Sequence, residues 1–225
     1  IFETLSLDKS EITITDTRDV LYWSKNFQNV KNNLGNIKTN SSLTDKKKIF
    51  SGSGKLKNTT SPIYFDEKLC SIDSDGLLYC LDTNSEKINF KINIKQLNRE
   101  KTEIIRSGIA YFDDKIAYAD AYGQVKLFDS TSGDVIWSTK IDFPILSSPL
   151  IYRGFIYIIS SDNRIFALDF SDGSISWSFQ TTAENKKNLK TSSPVAFENL
   201  IIVPFSNGEL IAFQYNDGRP IWSEN

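Results

Sequence analysis

The chain has no histidine and no methionine among its 225 residues, and only two cysteines. Without an imidazole there is no histidine-based general acid or base, no Ser–His–Asp nucleophile, and none of the commonest zinc ligands. Cys70 and Cys80 are not adjacent. The missing Met, absent even at position 1, and the lack of a recognisable signal peptide are read as a processed or trimmed chain. No apolar run approaches the roughly 20 residues of a membrane-crossing helix. Neither sign of charge dominates: 26 basic residues face 28 acidic ones, for a net charge of −2. No global field therefore points to nucleic acid or an anionic membrane. Asp73-Ser74-Asp75-Gly76 looks like the start of a calcium loop, but the remainder of that pattern and its closing Glu are missing, so it reads as a turn. The triplet Lys46-Lys47-Lys48 reads as a solvated loop end.

What the chain does have is a repeat. From Ser148 to Trp177 it runs SPLIYRGFIYIISSDNRIFALDFSDGSISW, four short apolar runs separated by tight turn sequences. That is the pattern of strands joined by hairpins, so one unit predicts one four-stranded antiparallel sheet. Its second strand, Phe155 to Ile159, is apolar at every position, which requires both sheet faces to be covered by neighbours. Related units end in CLDTNSEKINF at Phe90, LFDSTSGDVIW at Trp137 and AFQYNDGRPIW at Trp222. The closing aromatics Phe90, Trp137, Trp177 and Trp222 are 47, 40 and 45 residues apart, the spacing of propeller blades. The expected fold is all-β, a β-propeller of four-stranded antiparallel blades.

Each recurring residue has a physical role. Gly133, Gly173 and Gly218 sit where a short turn needs a positive φ, and the polar residues before them can bond the turn backbone. Each large aromatic on an outermost strand can wedge between blades, while Cys80, Ala167 and Ala212 on the third strand leave room for a close neighbour. Asp82, Asp129 and Asp169 recur at one place in the repeat, as expected of side chains that bond a turn backbone. Cys70 and Cys80 flank a hairpin and face each other only if the turn leaves Asp73 opposite Leu77. They are read as two buried small side chains, with a disulfide as the alternative in an oxidising compartment.

Along the chain, residues 1–47 form an N-terminal arm and entry segment, of which 21–47, rich in Asn, Lys and Ser, are read as a long surface connection anchored by Trp23. Residues 48–225 form the propeller, with blades at about 58–92, 107–140, 147–180 and 192–225. Phe50, 40 residues before Phe90, marks an outermost strand at 48–54 that lacks the first three strands of its blade. Such a strand commonly completes the last blade of a ring, so the four blades are expected to be part of a larger one. On their own, two copies could cover each other's open faces as a homodimer. The long polar links after Phe90 and Trp177 are candidate binding loops on one rim.

The repeat A-L-D-x-x-x-G-x-x-x-W, fullest from Ala167 to Trp177, resembles the tryptophan-docking repeat of the pyrroloquinoline-quinone-type propellers, with Glu86 in place of Gly and Phe90 in place of Trp in the first blade. Within that superfamily the chain is most similar to the outer-membrane protein assembly factors of the BamB family, which the entry segment from Trp23 to Asn32 and KIFSGSGK also resemble. The resemblance implies an eight-bladed, non-enzymatic scaffold on the periplasmic side of the bacterial outer membrane, held there by a lipid on an upstream Cys. It implies a BamA-like partner bound through rim loops, and no cofactor. Leu189-Lys190, just before Ser193-Pro194, match the family's contact loop if one gap is allowed, with Lys where Arg is usual. Two other readings are a quinone-dependent dehydrogenase, whose adjacent Cys pair is missing here, and a generic ligand- or peptide-binding propeller.

Overall fold

The computed structural model describes residues 16–25, 28–32, 34, 36–38, 60–73, 76–94, 107–145, 147–181 and 193–224. Among the described residues sixteen strands form four antiparallel sheets, each with its strands side by side in chain order. The first blade holds β1 (Ile63–Phe65), β2 (Lys68–Ile72), β3 (Leu77–Asp82) and β4 (Ile88–Asn93). The second holds β5 (Ser107–Phe112), β6 (Lys115–Asp120), β7 (Gln124–Asp129) and β8 (Val135–Lys140). The third holds β9 (Leu150–Tyr152), β10 (Phe155–Ile159), β11 (Arg164–Asp169) and β12 (Ile175–Gln180). The fourth holds β13 (Val195–Phe197), β14 (Leu200–Pro204), β15 (Leu210–Gln214) and β16 (Pro220–Glu224). The all-β architecture is the one the repeat predicts.

The hairpins follow from their turn residues. Asp66-Glu67, Asp113-Asp114 and Arg153-Gly154 all have positive φ, the conformation of a two-residue turn whose twist matches that of the strands. Third and fourth strands pair with one irregularity, always at the same place. Cys80, Leu127, Ala167 and Ala212 stand opposite Phe90, Trp137, Trp177 and Trp222, and the register shifts immediately afterwards. That bulge bends the outer strand and aims the aromatic toward the next blade.

The core is divided among the blade interfaces. On β10, Ile156 and Ile158 pack toward blade 2, whereas Tyr157 and Ile159 pack toward blade 4. On β6, Ile116 and Tyr118 face blade 1 while Ala117 and Ala119 face blade 3. A strand covered on both faces has no polar side to alternate with, which is why these second strands are continuously apolar. Blade 4 differs. β14 is equally apolar in sequence, yet its burial alternates, because no blade follows it among the described residues. Ile202, Ala212 and Trp222 lie in one row across three strands of that face, and Trp222 is 38% exposed, against 9% for Trp137.

Two readings need correction. The segment after Trp23 is no surface connection: Lys25 is 1% exposed and Gln28 is buried. Trp23 pairs with Tyr64 of β1, the amide of Tyr111 in β5 donates to Ser24 O (2.7 Å), and that of Ala196 in β13 donates to Val30 O (2.9 Å). Residues 22–25 and 28–30 thus lie as a strap across the innermost strands. The cysteines are the other correction, since Cys70 and Cys80 pair in register and form a disulfide. The turn between them is the longer one, with the Asp73 amide donating to Leu77 O and the Gly76 amide to Asp73 O. The proposed orphan strand with Phe50 lies outside the described residues.

Candidate interaction surface

Strand direction sorts the connections onto two rims. One carries the turns between first and second strands and between third and fourth strands, tied together by bonds such as Thr83 N to Glu67 O and Ser130 N to Asp114 O. The other carries the turns between second and third strands and the links from blade to blade. Leu189 and Lys190 lie outside the described residues, between Thr181 and Ser193.

The base of that link is described. Thr181 and Ser193, at its two ends, are both buried. The Thr181 amide donates to Asn163 O (3.1 Å), and its hydroxyl bonds the Glu209 carboxylate. Asn207 Nδ2 donates to the same carboxylate at 2.7 Å. These bonds hold Glu209 below the ordinary carboxylate range, the Thr181 hydroxyl contributing most and Asn207 next. Asn163 Oδ1 accepts from Ser206 Oγ at 2.6 Å, joining blade 3 to blade 4. The residues at both ends of the 182–192 segment are thus held by hydrogen bonds or burial within the rim.

The repeated aromatics and glycines form the joints between blades. Trp137 Nε1 donates to Phe170 O (3.0 Å) and Trp177 Nε1 to Tyr215 O (3.1 Å), each in the following blade. Their rings lie on glycine: a Cβ at Gly173 would be 2.4 Å from Trp137, and one at Gly218 would be 2.4 Å from Trp177. Phe90 meets Gly133 in the same manner, at 2.9 Å. The glycine is thus a docking surface as well as a turn residue, a role that sequence reasoning missed. Asp82 and Asp129 accept the backbone amides of Asn84 and Ser85, and of Thr131 and Ser132, which depress both carboxyls below their usual range. Asp169 accepts the Ser171 amide at 2.8 Å.

Two buried ionisable groups stand out. Lys25 Nζ donates to Pro194 O at 3.2 Å, and burial pulls its pKa down to about 8. Asp120, fully buried at the end of β6, is raised by burial against the opposing pull of Tyr118 OH (2.7 Å) and the amides of Gln124 and Tyr122. Among the described residues no group of three or more His, Cys, Asp or Glu side chains is placed to hold a metal ion. The cysteines, joined across two strands, form no adjacent pair.

The family described as outer membrane protein assembly factor BamB matches residues 8–225. The chain belongs to the BamB family. BamB of Nitrosomonas eutropha is 25% identical to it over 120 residues, which take in 53% of this chain and 27% of that protein. The crystal structure of BamB from Moraxella catarrhalis superposes with a TM-score of 0.67 at 18% identity, covering 76% of this chain and 50% of that one. A europium-containing methanol dehydrogenase superposes at 0.71 with 14% identity, over 92% of this chain and 49% of the other. At such identities the likeness to both structures is one of fold. The chain spans half or less of the length of these BamB relatives.

Proposed function

We propose that this protein is a non-enzymatic scaffold of the outer-membrane β-barrel assembly machinery that holds a BamA-like partner through loops on the rim of blade-to-blade links. The observation that carries this reading is the family match over residues 8–225. In it, the blades are part of an eight-bladed ring on the periplasmic side of the outer membrane, tethered by a lipid on an upstream Cys. The disulfide between Cys70 and Cys80 supports such an oxidising compartment. Leu189 serves as an apolar anchor and Lys190 supplies charge, displayed from the braced base at Thr181 and Ser193. An apolar anchor flanked by charge is the kind of small cluster that dominates interface energy.

The test is binding of the purified chain to a BamA-like protein, with L189A/K190A as the variant. Binding should weaken by about tenfold or more while the unfolding midpoint stays put, since an exposed loop contributes little to stability. Unchanged affinity would move the site, with the link at 96–106 next in line. The fold shared with the europium-containing methanol dehydrogenase favours a second reading, the quinone-dependent dehydrogenase. Dye reduction by the pure protein given quinone, calcium or europium, and an alcohol would establish that reading and overturn the scaffold.

A further inference from the structure

Most of the large apolar side chains that face water have a place in the repeat. Ile88, Ile136, Ile175 and Ile221 lie on outermost strands, and Phe112 and Phe197 stand at first hairpins, on the rim opposite the blade-to-blade links. Phe143 lies outside that repeat. It is 40% exposed on the link from β8 to β9, and Asp142 and Pro144 on either side of it are exposed as well.

The link is braced where it carries Phe143. Ile141 and Ile145 are buried in the core between blades 2 and 3. The Ile141 amide donates to Gly123 O (2.8 Å) and the Ile145 amide to Asp120 O (3.1 Å), so both ends are bonded to the hairpin of β6 and β7. The backbone between them lies on Gly123, where an added Cβ would overlap Ile141 O and stand 2.9 Å from Phe143 O. Pro144 fixes its own φ, and its carbonyl accepts the Ser161 amide of blade 3 at 2.8 Å. Asp142, Phe143 and Pro144 are thus held out between two buried anchors. An aromatic side chain with two torsions, on a backbone already fixed, loses little entropy when a partner covers it.

The turn that bonds Pro144 also bonds the base of the segment that carries Leu189 and Lys190. Ser161 donates to Pro144 O, and Asn163 of the same turn accepts the Thr181 amide at 3.1 Å, so the two places adjoin on one rim. Charge adds a second constraint. Exposed Lys140 is engaged with Tyr122 O, whereas the carboxylate beside Phe143, that of Asp142, is exposed. Resting on the scaffold reading, we infer that Phe143 is an apolar anchor for the same partner protein, entering a pocket on it whose lip carries a lysine or arginine that meets Asp142. A covered aromatic ringed by polar groups is the make-up of an interface hot spot. Asp162, Arg164 and Gln180, joined to one another in the adjoining turn and strands, belong to that ring.

The experiment measures binding of the 225-residue chain to a purified BamA-like protein, with urea unfolding of each variant as the control. Phe143→Ala should weaken binding by about tenfold and leave the unfolding midpoint in place. Asp142→Lys should weaken it by about threefold at low salt, and that loss should shrink as salt is added. A photoreactive benzoylphenylalanine at position 143 should crosslink to the partner on irradiation, a readout of contact that a purely structural role would not give. If the wild type binds and both substitutions bind as tightly as it does, or if the residue at 143 gives no crosslink to bound partner, the anchor is overturned and the scaffold stands. A wild-type chain that does not bind at all overturns the scaffold, and the anchor with it.

Discussion

Gly173→Ala puts a number on the joint between blades. The added Cβ would stand 2.4 Å from Trp137 Cε3, 2.6 Å from Cδ2 and 2.8 Å from Thr139 Oγ1, where ordinary carbon contacts are about 3.5–4.0 Å. The residue is also at φ +74°, which costs an L-residue about 1–2 kcal/mol. Overpacking adds about 1–3 kcal/mol, because neither the indole nor the threonine hydroxyl, bonded to Gly173 O, can retreat without breaking a contact. The expected loss is therefore about 2–5 kcal/mol. Gly154→Ala isolates the conformational part: φ is +81° there, and nothing lies within 4 Å of the added atom. It should cost only about 1–2 kcal/mol. Urea unfolding reads the difference as a shift in midpoint at constant slope. Adding Trp137→Ala to the Gly173→Ala background should cost about 1–3 kcal/mol less than it does alone, because the overlap has gone. Equal losses at Gly173 and Gly154, or strict additivity with Trp137→Ala, would refute docking and leave only turn geometry.

Lys25 makes stability depend on pH. Its folded pKa of about 8 lies below the ordinary 10.5, so below pH 8 the fold bears the full cost of charging a buried ammonium, about 3 kcal/mol. Stability should rise between pH 8 and about 10, where the unfolded chain holds the extra proton, and that rise should vanish in Lys25→Met. Above pH 10 the trend reverses, because burial raises the Tyr157 and Tyr111 phenols and only the unfolded chain loses those protons. Reduction of the Cys70–Cys80 disulfide, whose partners are 10 residues apart, should lower stability by about 2.5–3 kcal/mol on the chain-entropy account; an unchanged midpoint with reductant would argue against the bond. Trp222, with its row of apolar neighbours, is expected to drive self-association of the isolated chain, seen by light scattering and relieved by Trp222→Glu; a wild-type monomer at every concentration would count against it.

The fold was legible because one physical cause wrote the same pattern four times. A blade covered on both faces must make its second strand apolar throughout, and tight turns must carry residues that accept positive φ. Burial within that pattern was less legible. Leu200 to Val203 read like Phe155 to Ile159, yet only the structure shows that the first alternates in burial while the second is covered on both faces among the described residues. The strap was hidden for a different reason. Composition reports local preference, whereas Lys25 is buried by a contact 169 residues away, so an Asn- and Lys-rich stretch looked like surface. The cysteine pairing hung on turn length, which CSIDSDGLLYC alone leaves open. For Leu189 and Lys190 only the family pattern speaks, since both lie outside the described residues.

The glycines are the instructive case, because a correct explanation concealed a second one. Positive φ accounts for Gly133, Gly173 and Gly218, and nothing in a turn asks for more. Yet Glu86 occupies the equivalent place in blade 1, its amide bonding Asp82 O as the Gly133, Gly173 and Gly218 amides bond Asp129 O, Asp169 O and Gln214 O. Its φ is +58° and it is exposed, so a side chain is bearable in that turn. Glycine in the other three blades therefore answers to something outside the turn, and the aromatics spaced one blade earlier are the residues that press there. The exception at Glu86 was the signal in the sequence that the turn was also a socket.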